Sequence, residues 1–333
     1  MFLNPAHSIY TDMRKDLPRV YQRHYLAAIL LFSLISTTGL MFWESGTVEV
    51  TNITMDGVPG RIVFIADPHI RANNLDQMQG VVNEINSLHP ALVVIGGDFV
   101  YRSGDDLSLQ DVWKGIEAPV YAVLGNHDYD AGIRGSGVEG SVACALEEVL
   151  RLHDYNTSEF YSDDCNEAYA DALESKLEDN GVTVLRNECV VVPVAGGNIT
   201  LVGVDDIWSG RADPPTDPPA GDYTIYMVHE PVETRYQGAD LILSGHTHGG
   251  QFDVLPLQVL NSVGVIRTGG LYSNGEIPVF ITRGLGTSNF EHEYRLGATP
   301  EIVVIDPETP GSGPAGIPGA AGQFLIGLIT LKS

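Results

Sequence analysis

Five short apolar runs in this chain each end in residues of the types that bind metal ions. Nearly continuous apolar runs of this kind are typical of strands that are buried on both faces. In chain order, the runs and the polar residues that follow them are Ile62–Ala66 with Asp67 and His69, Ala91–Ile95 with Asp98, Val120–Leu124 with Asn126, His127 and Asp128, Tyr223–Val228 with His229, and Leu241–Leu243 with His246 and His248. Because ligands of an open α/β sheet bind beyond the carboxyl ends of its strands, the pattern predicts that these five ends meet at one site.

The rest of the sequence alternates between helical and strand patterns and predicts a mixed α/β fold. Between the first two runs, apolar residues recur at helical spacing from Leu75 to Leu88, which gives one βαβ unit. Val142–Leu152 and Glu167–Asn180 are predicted as further helices, and the Pro- and Asp-rich stretch Arg211–Gly221 as an exposed loop. The remaining predicted strands are Val48–Met55, Val182–Leu185, Cys189–Val194, Ile199–Val204, Val279–Thr282 and Ile302–Ile305.

The residue types at the strand ends indicate a site for divalent cations. In the D-x-H and H-x-H segments, side chains two residues apart can point in the same direction from an extended backbone and grip one ion together. The set mixes carboxylate, amide and imidazole groups and contains no thiolate, which suits Mn²⁺, Fe or Zn²⁺. A single histidine at a strand end is more often structural than a ligand, but five such ends in order predict a metal site.

These five blocks resemble the calcineurin-like metallophosphoesterase superfamily, whose pattern is D-x-H, G-D, G-N-H-[DE], H and G-H-x-H. The H-T-H-G-G-Q ending and the stretches Leu201–Asp206 and Arg283–Thr287 are similar to the YkuE/YaeI-like branch, which has an N-terminal membrane segment or export signal. The resemblance covers about residues 61–305, and it implies a four-layer α/β/β/α sandwich. The departures are Pro68 inside D-x-H and Glu230, where many members have Asn, and neither removes a ligand.

Carried over by position, the resemblance implies two divalent metal ions as cofactors and a hydroxide bridging them that attacks phosphorus. The implied metal ligands are Asp67, His69 and His248 for the first ion, Asn126, His229 and His246 for the second, and Asp98 as a bridge between both. His127 would donate to the phosphate or the leaving group, and Asp128 would orient it. The implied substrate is therefore a phosphoester.

The N-terminal part contains an uncharged run of 19 residues, Tyr25–Trp43. At 1.5 Å per residue, such a helix would span roughly 28 Å, about the thickness of the hydrocarbon core of a bilayer. Basic residues at positions 14, 15, 19 and 23 precede the run, and Glu44 follows it. The positive-inside rule then predicts a single-pass protein of the cell membrane with a cytoplasmic N-terminus and an extracytoplasmic catalytic domain. A cleaved signal peptide is the alternative, although no A-x-A-like site follows the run.

These features divide the chain into four predicted segments. They are a cytoplasmic N-terminus at 1–24, a transmembrane helix at 25–43, a metallophosphoesterase domain at 44–306, and a Gly/Pro-rich linker with a short apolar tail at 307–333. Within the domain, the insertion 130–180 directly follows the G-N-H-D block and so starts at the rim of the predicted site. It is either a lid over the pocket or a surface excursion packed away from it.

Charge limits the partners that the chain can have. The sequence contains 43 acidic and 18 basic residues, for a formal charge of −25, so we expect no nucleic-acid partner. Such acidity suits a salt-rich habitat, or it is that of an ordinary acidic protein. Cys144 and Cys165 lie in the same insertion and form a disulfide outside the membrane or remain thiols.

The sequence therefore predicts a membrane-anchored phosphoesterase that acts on phosphodiester, pyrophosphate or phosphomonoester bonds. The anchor favours a lipid or cell-envelope phosphoester as substrate, and a soluble nucleotide or monoester is the alternative. A non-catalytic scaffold should have lost ligands or His127, and none is missing. A metal-dependent amide hydrolase fits the Asn126–His127 pair beside Asp98 less well. We infer no obligate protein partner.

Overall fold

A computed structural model describes residues 19–131, 165–231, 236–262, 267–274, 277–287 and 293–308. The predicted helix Val142–Leu152 and the apolar tail after residue 308 lie outside the described residues. Cys144 does so too, and its pairing with Cys165 therefore stays a prediction. The chain divides into two compact units, residues 1–43 and 44–333, which are described separately below.

The first unit is dominated by helix α1, which runs over Arg19–Ser45 and so begins six residues before the predicted span. Its segment His24–Ser45 is long and apolar enough to cross a membrane by length and composition. Large side chains along it are exposed to the surroundings, with Phe32 at 73% and Trp43 at 68% of full exposure. A signal sequence meets the same test, so the membrane anchor stays a prediction.

The second unit contains helices and strands in alternation, followed by a strand-rich half. Its helices are α2 (Leu75–Ser87), α3 (Glu167–Asp179) and α4 (Leu255–Ser262). The strands are β1 (Glu49–Met55), β2 (Ile62–Ile65), β3 (Leu92–Ile95), β4 (Val120–Ala122), β5 (Val182–Val184), β6 (Glu188–Val194), β7 (Gly197–Gly203), β8 (Tyr223–Met227), β9 (Leu241–Ser244), β10 (Gly270–Asn274), β11 (Ile277–Ile281) and β12 (Glu301–Pro307). Short 3₁₀ helices occupy Leu107–Gly115, Asn126–Tyr129 and His248–Gly250.

The strands form two six-stranded sheets. The first has the order β1-β12-β2-β3-β4-β5 and the second the order β10-β11-β9-β8-β7-β6. Strands β2, β3, β4 and β5 pair in parallel, as do β7, β8, β9 and β11 in the second sheet. The carboxyl ends of β2, β3 and β4 therefore lie on one edge of the first sheet, and those of β8 and β9 on one edge of the second.

Alternate residues of the central strands pack into two different apolar clusters. Phe64 of β2 and Val94 of β3 share a cluster with residues of β7, β8 and β9, so the two sheets pack on each other there. Their neighbours Val63 and Ile95 belong to the cluster that includes Met78 of α2. Both faces of these strands are buried, which explains why the sequence shows continuous apolar runs instead of alternation.

The mixed α/β fold with two sheets is confirmed, and helix α3 ends within one residue of its predicted bounds. Among the described residues, one α-helix and one strand were not predicted, α4 and β10, and neither was the 3₁₀ helix Leu107–Gly115. The segment Gly270–Asn274 has only two apolar residues, and the eight residues of α4 contain a proline. Neither segment therefore shows a clear periodicity of apolar residues. The parallel pairing of β1 with β12 joins residues about 250 positions apart and leaves no local signal.

A buried carboxylate joins the two sheets. Glu301, at the start of β12, accepts hydrogen bonds from Thr51 Oγ1 of β1 at 2.6 Å and from Thr282 Oγ1 at 3.1 Å. It also accepts from the backbone N and from Nη2 of Arg283, each at 2.8 Å. Burial would raise the pKa of Glu301, but Arg283 outweighs it and holds the pKa below its ordinary value. Because Arg283 follows β11, this ion pair ties the second sheet to the first.

We expect Glu301→Ala to lower the free energy of unfolding by about 3 kcal/mol, because it leaves the Arg283 guanidinium without its buried partner. Asp306→Ala is the matched control on the same strand, since its partner Arg61 is 42% exposed at the side chain. An exposed pair of this kind contributes less than about 1 kcal/mol. Urea unfolding followed by circular dichroism measures both variants, and equal losses would contradict the role given to Glu301.

Candidate metal centre

The loops after β2, β3, β4, β8 and β9 bring the predicted site residues together. Backbone hydrogen bonds tie these loops to one another. Asp67 N donates to Gly97 O at 3.0 Å, and Gly245 N donates to His229 O at 3.0 Å. The site is thus built from loops of both sheets. The loop after β2 is bonded to the loop after β3, and the loop after β9 to the loop after β8.

A first group of four buried side chains offers ligand atoms that all lie within 4.8 Å of one another: Asp67, His69, Asp98 and His248. The Nε2 atoms of His69 and His248 are 3.2 Å apart. His248 Nε2 lies 3.8 Å from Asp67 Oδ1. These are the side chains that the resemblance assigns to the first ion, together with the bridging Asp98.

A second group contains Asp98, His229 and His246, again within 4.8 Å. His246 Nδ1 lies 3.3 Å from His229 Nε2 and 3.0 Å from Asn126 Oδ1. Asn126 donates its Nδ2 to Ala131 O at 2.9 Å, which turns its oxygen toward the histidines. The structure thus places Asn126 with the two histidines that the resemblance assigns to the second ion.

Asp98 belongs to both groups. Its Oδ2 atom lies 3.4 Å from His69 Nε2 and 3.3 Å from His229 Nε2. Its other oxygen, Oδ1, accepts a hydrogen bond from His127 N at 2.9 Å, which fixes the carboxylate plane. One carboxylate oxygen therefore faces a histidine of each group.

The second ring nitrogen of three histidines is held by a backbone carbonyl. The pairs are His69 Nδ1 with Val100 O at 2.8 Å, His229 Nδ1 with Gly96 O at 2.7 Å, and His248 Nδ1 with Gly286 O at 3.1 Å. Since a carbonyl can only accept, each Nδ1 carries the proton when the ring is neutral. The lone pair of each ring is then on Nε2, which points into the site, as is usual for metal-binding histidines.

Burial and neighbouring charge set the protonation of the carboxylates. Burial raises the pKa of Asp67 to about 7, with the nearby Asp98 acting in the same direction. Burial would also raise the pKa of Asp98, but His229 and His127 outweigh it and hold that pKa well below its ordinary value. Conversely, burial would lower the pKa of His229, and Asp98 outweighs it and raises that pKa well above its ordinary value. Asp98 and His229 thus form the charged pair at the centre of the site.

Burial lowers the pKa of His69 and of His248 well below the ordinary value. Both rings are therefore neutral, and their Nε2 lone pairs face each other across 3.2 Å. Two lone pairs at this distance repel unless a cation lies between or beside them. With the buried carboxylates next to them, this donor set fits divalent metal ions.

Backbone strain concentrates at these side chains. Five of the site residues have positive φ angles: Asp67 (53°), His69 (38°), Asp98 (58°), His246 (69°) and His248 (50°). This region is uncommon for residues other than glycine and costs of order 1–3 kcal/mol per residue, so it persists only where the surroundings impose it. The loops therefore hold strained conformations at the predicted ligands.

His127 lies at the rim of the site and is partly exposed. Its ring is 4.7 Å from the His69 ring, between centroids. Nδ1 of His127 bonds to Tyr101 O at 2.7 Å, which leaves Nε2 as its second ring nitrogen. The Tyr101 ring stacks on the His127 ring, with 5.8 Å between centroids. The Arg71 guanidinium in turn lies over the Tyr101 ring, 4.5 Å from its centroid.

Asp128 is held by backbone amides, and the role in orienting His127 that the resemblance implies stays a prediction. The carboxylate of Asp128 accepts hydrogen bonds from three backbone amides. They belong to Gly125 at 2.9 Å, Asp98 at 3.0 Å and Val100 at 3.2 Å. The Tyr101 carbonyl accepts from Nδ1 of the His127 ring. Asp128 therefore braces the loops after β3 and β4, and burial raises its pKa to about 8.

Arg295 is a site residue that the sequence reasoning missed. It is fully buried, and its Nη1 donates to Arg283 O at 2.7 Å, Ala298 O at 2.8 Å and His248 O at 3.3 Å. Its Nη2 donates to Gly286 O, the carbonyl that also holds the His248 ring. Burial lowers the pKa of Arg295 to about 10, so it stays charged at neutral pH. A lone arginine beyond the last motif carries no sequence signal for this role.

A second pair of buried acids lies beside His229. Glu230 accepts from the backbone amides of Ile207 at 3.3 Å and Trp208 at 3.2 Å. Burial and the neighbouring Glu230 raise the pKa of Asp206 well above its ordinary value. Asp206 therefore holds its proton to a higher pH than an exposed carboxyl does. Glu230, the departure from the family pattern, thus binds backbone amides and is not one of the clustered candidate ligands.

Comparison with known proteins identifies a family and several relatives of this chain. A family model described as Calcineurin-like phosphoesterase matches residues 60–250. The chain is 27% identical over 266 residues to Phosphodiesterase YaeI of Escherichia coli, covering 75% of this chain and 83% of that protein.

Two further relatives match at similar identity. An uncharacterized metallophosphoesterase of Bacillus subtilis, YkuE, is 27% identical over 261 residues, covering 74% of this chain and 78% of that protein. UDP-2,3-diacylglucosamine pyrophosphatase LpxG of Chlamydia trachomatis is 27% identical over 282 residues, covering 74% of this chain and 82% of that protein.

Gly245→Ala tests whether close backbone approach shapes the site. A Cβ at Gly245 would lie 2.6 Å from Asp67 Oδ2 and 2.7 Å from Ala66 Cβ, so we expect loss of metal binding. Gly80→Ala is the matched control in helix α2, where a Cβ meets nothing within 4 Å and should stabilise by about 0.5–1 kcal/mol. Metal content by mass spectrometry measures both, and full metal loading of the Gly245 variant would contradict the geometry.

Proposed function

On the premise that this chain belongs to the calcineurin-like phosphoesterase family, we propose that it hydrolyses a phosphoester at the membrane surface with two divalent metal ions. The chain is a metal-dependent hydrolase of the YaeI/YkuE-like branch of that family. The observation that carries the proposal is the position of Asp98 Oδ2, 3.4 Å from His69 Nε2 and 3.3 Å from His229 Nε2. One carboxylate oxygen in that position can serve two ions.

The proposed ligand sets follow the two groups of side chains. Asp67, His69 and His248 hold the first ion, and Asn126, His229 and His246 hold the second. Asp98 is shared by both. When bound, two ions of this kind supply an activated water nucleophile and neutralise charge on the attacking and leaving oxygens. Manganese, iron and zinc all suit the mixed oxygen and nitrogen ligands.

His127 is the proposed group that acts on the substrate. Its Nδ1 bonds to the Tyr101 carbonyl, so Nδ1 carries a proton. The opposite nitrogen, Nε2, is therefore the atom that donates to a phosphate oxygen or to the leaving group when the ring is protonated. Asp98 Oδ1 accepts a hydrogen bond from the backbone N of His127, which ties the His127 main chain to the proposed shared ligand.

The proposed substrate is an amphiphilic phosphodiester or pyrophosphate in a membrane. Two relatives carry names that fit, a phosphodiesterase and a pyrophosphatase that acts on a diacylated sugar nucleotide. The apolar segment His24–Ser45 would keep the enzyme on the bilayer, where a tether raises the effective concentration of lipid-borne substrate. We also propose the four-layer α/β/β/α arrangement and an extracytoplasmic catalytic domain, in line with the basic residues that precede the span.

We expect Asp98→Ala to abolish both activity and metal loading, because both ions lose a ligand. His127→Ala should keep both metals and lose about 10²–10⁴-fold in kcat, the usual contribution of a general acid. Metal content by mass spectrometry, beside kinetics on a bis-aryl phosphodiester, separates the two results. If metal content falls equally in both variants, the role given to His127 is wrong.

If the substrate lies in the membrane, we expect faster turnover when the enzyme and the substrate share a bilayer. The full chain, reconstituted in vesicles, should hydrolyse a fluorescent lipid phosphodiester or pyrophosphate in its own vesicles faster than in separate vesicles. A soluble nucleotide serves as control and should be turned over equally in both mixtures. Equal rates on the lipid in both arrangements would favour the soluble nucleotide or monoester as substrate.

The proposed orientation can be tested by protease access. The loop Arg211–Gly221 is largely exposed, and a protease added to intact cells, or to spheroplasts, should cut it if the domain faces outward. A cytoplasmic protein serves as the intactness control. Protection of the loop until the cells are lysed would reverse the orientation.

A further inference from the structure

Helix α4 presents apolar side chains that the described part of the chain leaves exposed. None of its residues is buried. Leu255 is 61% exposed, Val259 52% and Leu260 36%, and Val254 just before the helix is 43% exposed. Scattered exposed apolar residues are ordinary, but here four lie within seven consecutive positions, and we call these four the apolar patch.

The patch is uncharged in a strongly acidic protein. Residues 254–266 contain no Asp, Glu, Lys or Arg, while the chain as a whole has a formal charge of −25. Asp253 and Arg267 flank the stretch on either side. An uncharged apolar surface of this kind can approach lipid without the repulsion that an acidic surface meets from anionic head groups.

The patch lies close to Glu44, the first residue of the second unit. Glu44 directly follows Trp43, the last residue of the uncharged run. Its carboxylate accepts from Gly297 N at 3.0 Å and from Thr299 Oγ1 at 3.0 Å, which fixes it to the domain. A Cβ built on Gly297 would meet Gln258 Nε2 of α4 at 3.4 Å, so Glu44 and α4 flank the same turn.

The same segment leads directly out of the proposed active site. Gln251 follows the His248–Gly250 turn and donates its backbone N to His248 O at 2.9 Å. Gln251 O accepts from Leu296 N at 3.0 Å, and Phe252 forms a β-bridge with Leu296. Helix α4 begins four residues after Gln251, so its placement and that of a proposed metal ligand are linked through a short, hydrogen-bonded stretch.

We infer that helix α4 and Val254 dock on the lipid bilayer as a second membrane contact, in addition to the proposed N-terminal span. The inference rests on the membrane anchoring proposed above, and it deepens that proposal by assigning the face of the domain that meets the lipid. Apolar side chains of a short helix gain affinity in the interface in proportion to the area they bury. With two contacts instead of one, the domain takes a fixed orientation, and the rim of the metal centre lies near the head groups.

The test uses the full chain, reconstituted in zwitterionic phosphatidylcholine vesicles, and tryptophan fluorescence. Val259→Trp places the probe on α4. Val191→Trp is the matched control, since Val191 is an exposed valine at 38%, on strand β6 at the edge of the second sheet opposite β10. The three native tryptophans contribute the same background to both variants and to the parent chain.

We expect lipids brominated in their acyl chains to quench the added tryptophan of Val259→Trp at least about twofold more than that of Val191→Trp. The emission of the Val259→Trp probe should also shift to shorter wavelength in vesicles. Equal quenching of both variants, or none, would overturn the inference. So would a blue shift in detergent that grows with protein concentration, because α4 would then cover a second copy of the chain. Since no readout here depends on turnover, failure of this inference is distinct from failure of the proposed catalytic function.

Discussion

The shared carboxylate of Asp98 is the constraint on which the rest of the site depends. Its Oδ2 faces His69 on one side and His229 on the other, at 3.4 Å and 3.3 Å. For one oxygen to reach both, the ends of β2 and β3 in the first sheet must meet the end of β8 in the second. That convergence requires strained backbone and close packing in these loops. It is seen in the positive φ angles of the candidate ligands and in the glycines where a Cβ would clash.

The surroundings of the centre maintain this geometry. Asp128 braces two loops through three backbone amides, and the buried Arg295 holds the carbonyl that positions His248. Glu301 ties the sheets together at the strand that separates β1 from β2. Arg295 and Glu301 carry charge in buried positions, where each needs its partners. Together with Asp128, they hold the loops and the two sheets around the site.

The central strands and the convergence of the candidate ligands could be predicted from sequence because each candidate ligand follows a strand that is buried on both faces. A run such as Ile62–Ala66 fixes where the strand stops, and Asp67 and His69 follow at once. The bracing residues could not be predicted in this way. Arg295 and Tyr101 act through backbone carbonyls, which leave no pattern in the sequence, and Asp128 stands in a motif but bonds to amides from another loop. Helix α4 and β10 were missed because their segments are short and without a clear period.

The central claim is that this chain holds two metal ions that share Asp98. Metal analysis of the purified full-length protein, combined with anomalous diffraction at the metal edge, tests it most directly. We predict two ions per chain, with one carboxylate oxygen of Asp98 within bonding distance of both. A single ion per chain, or two ions of which only one contacts Asp98, would contradict the account.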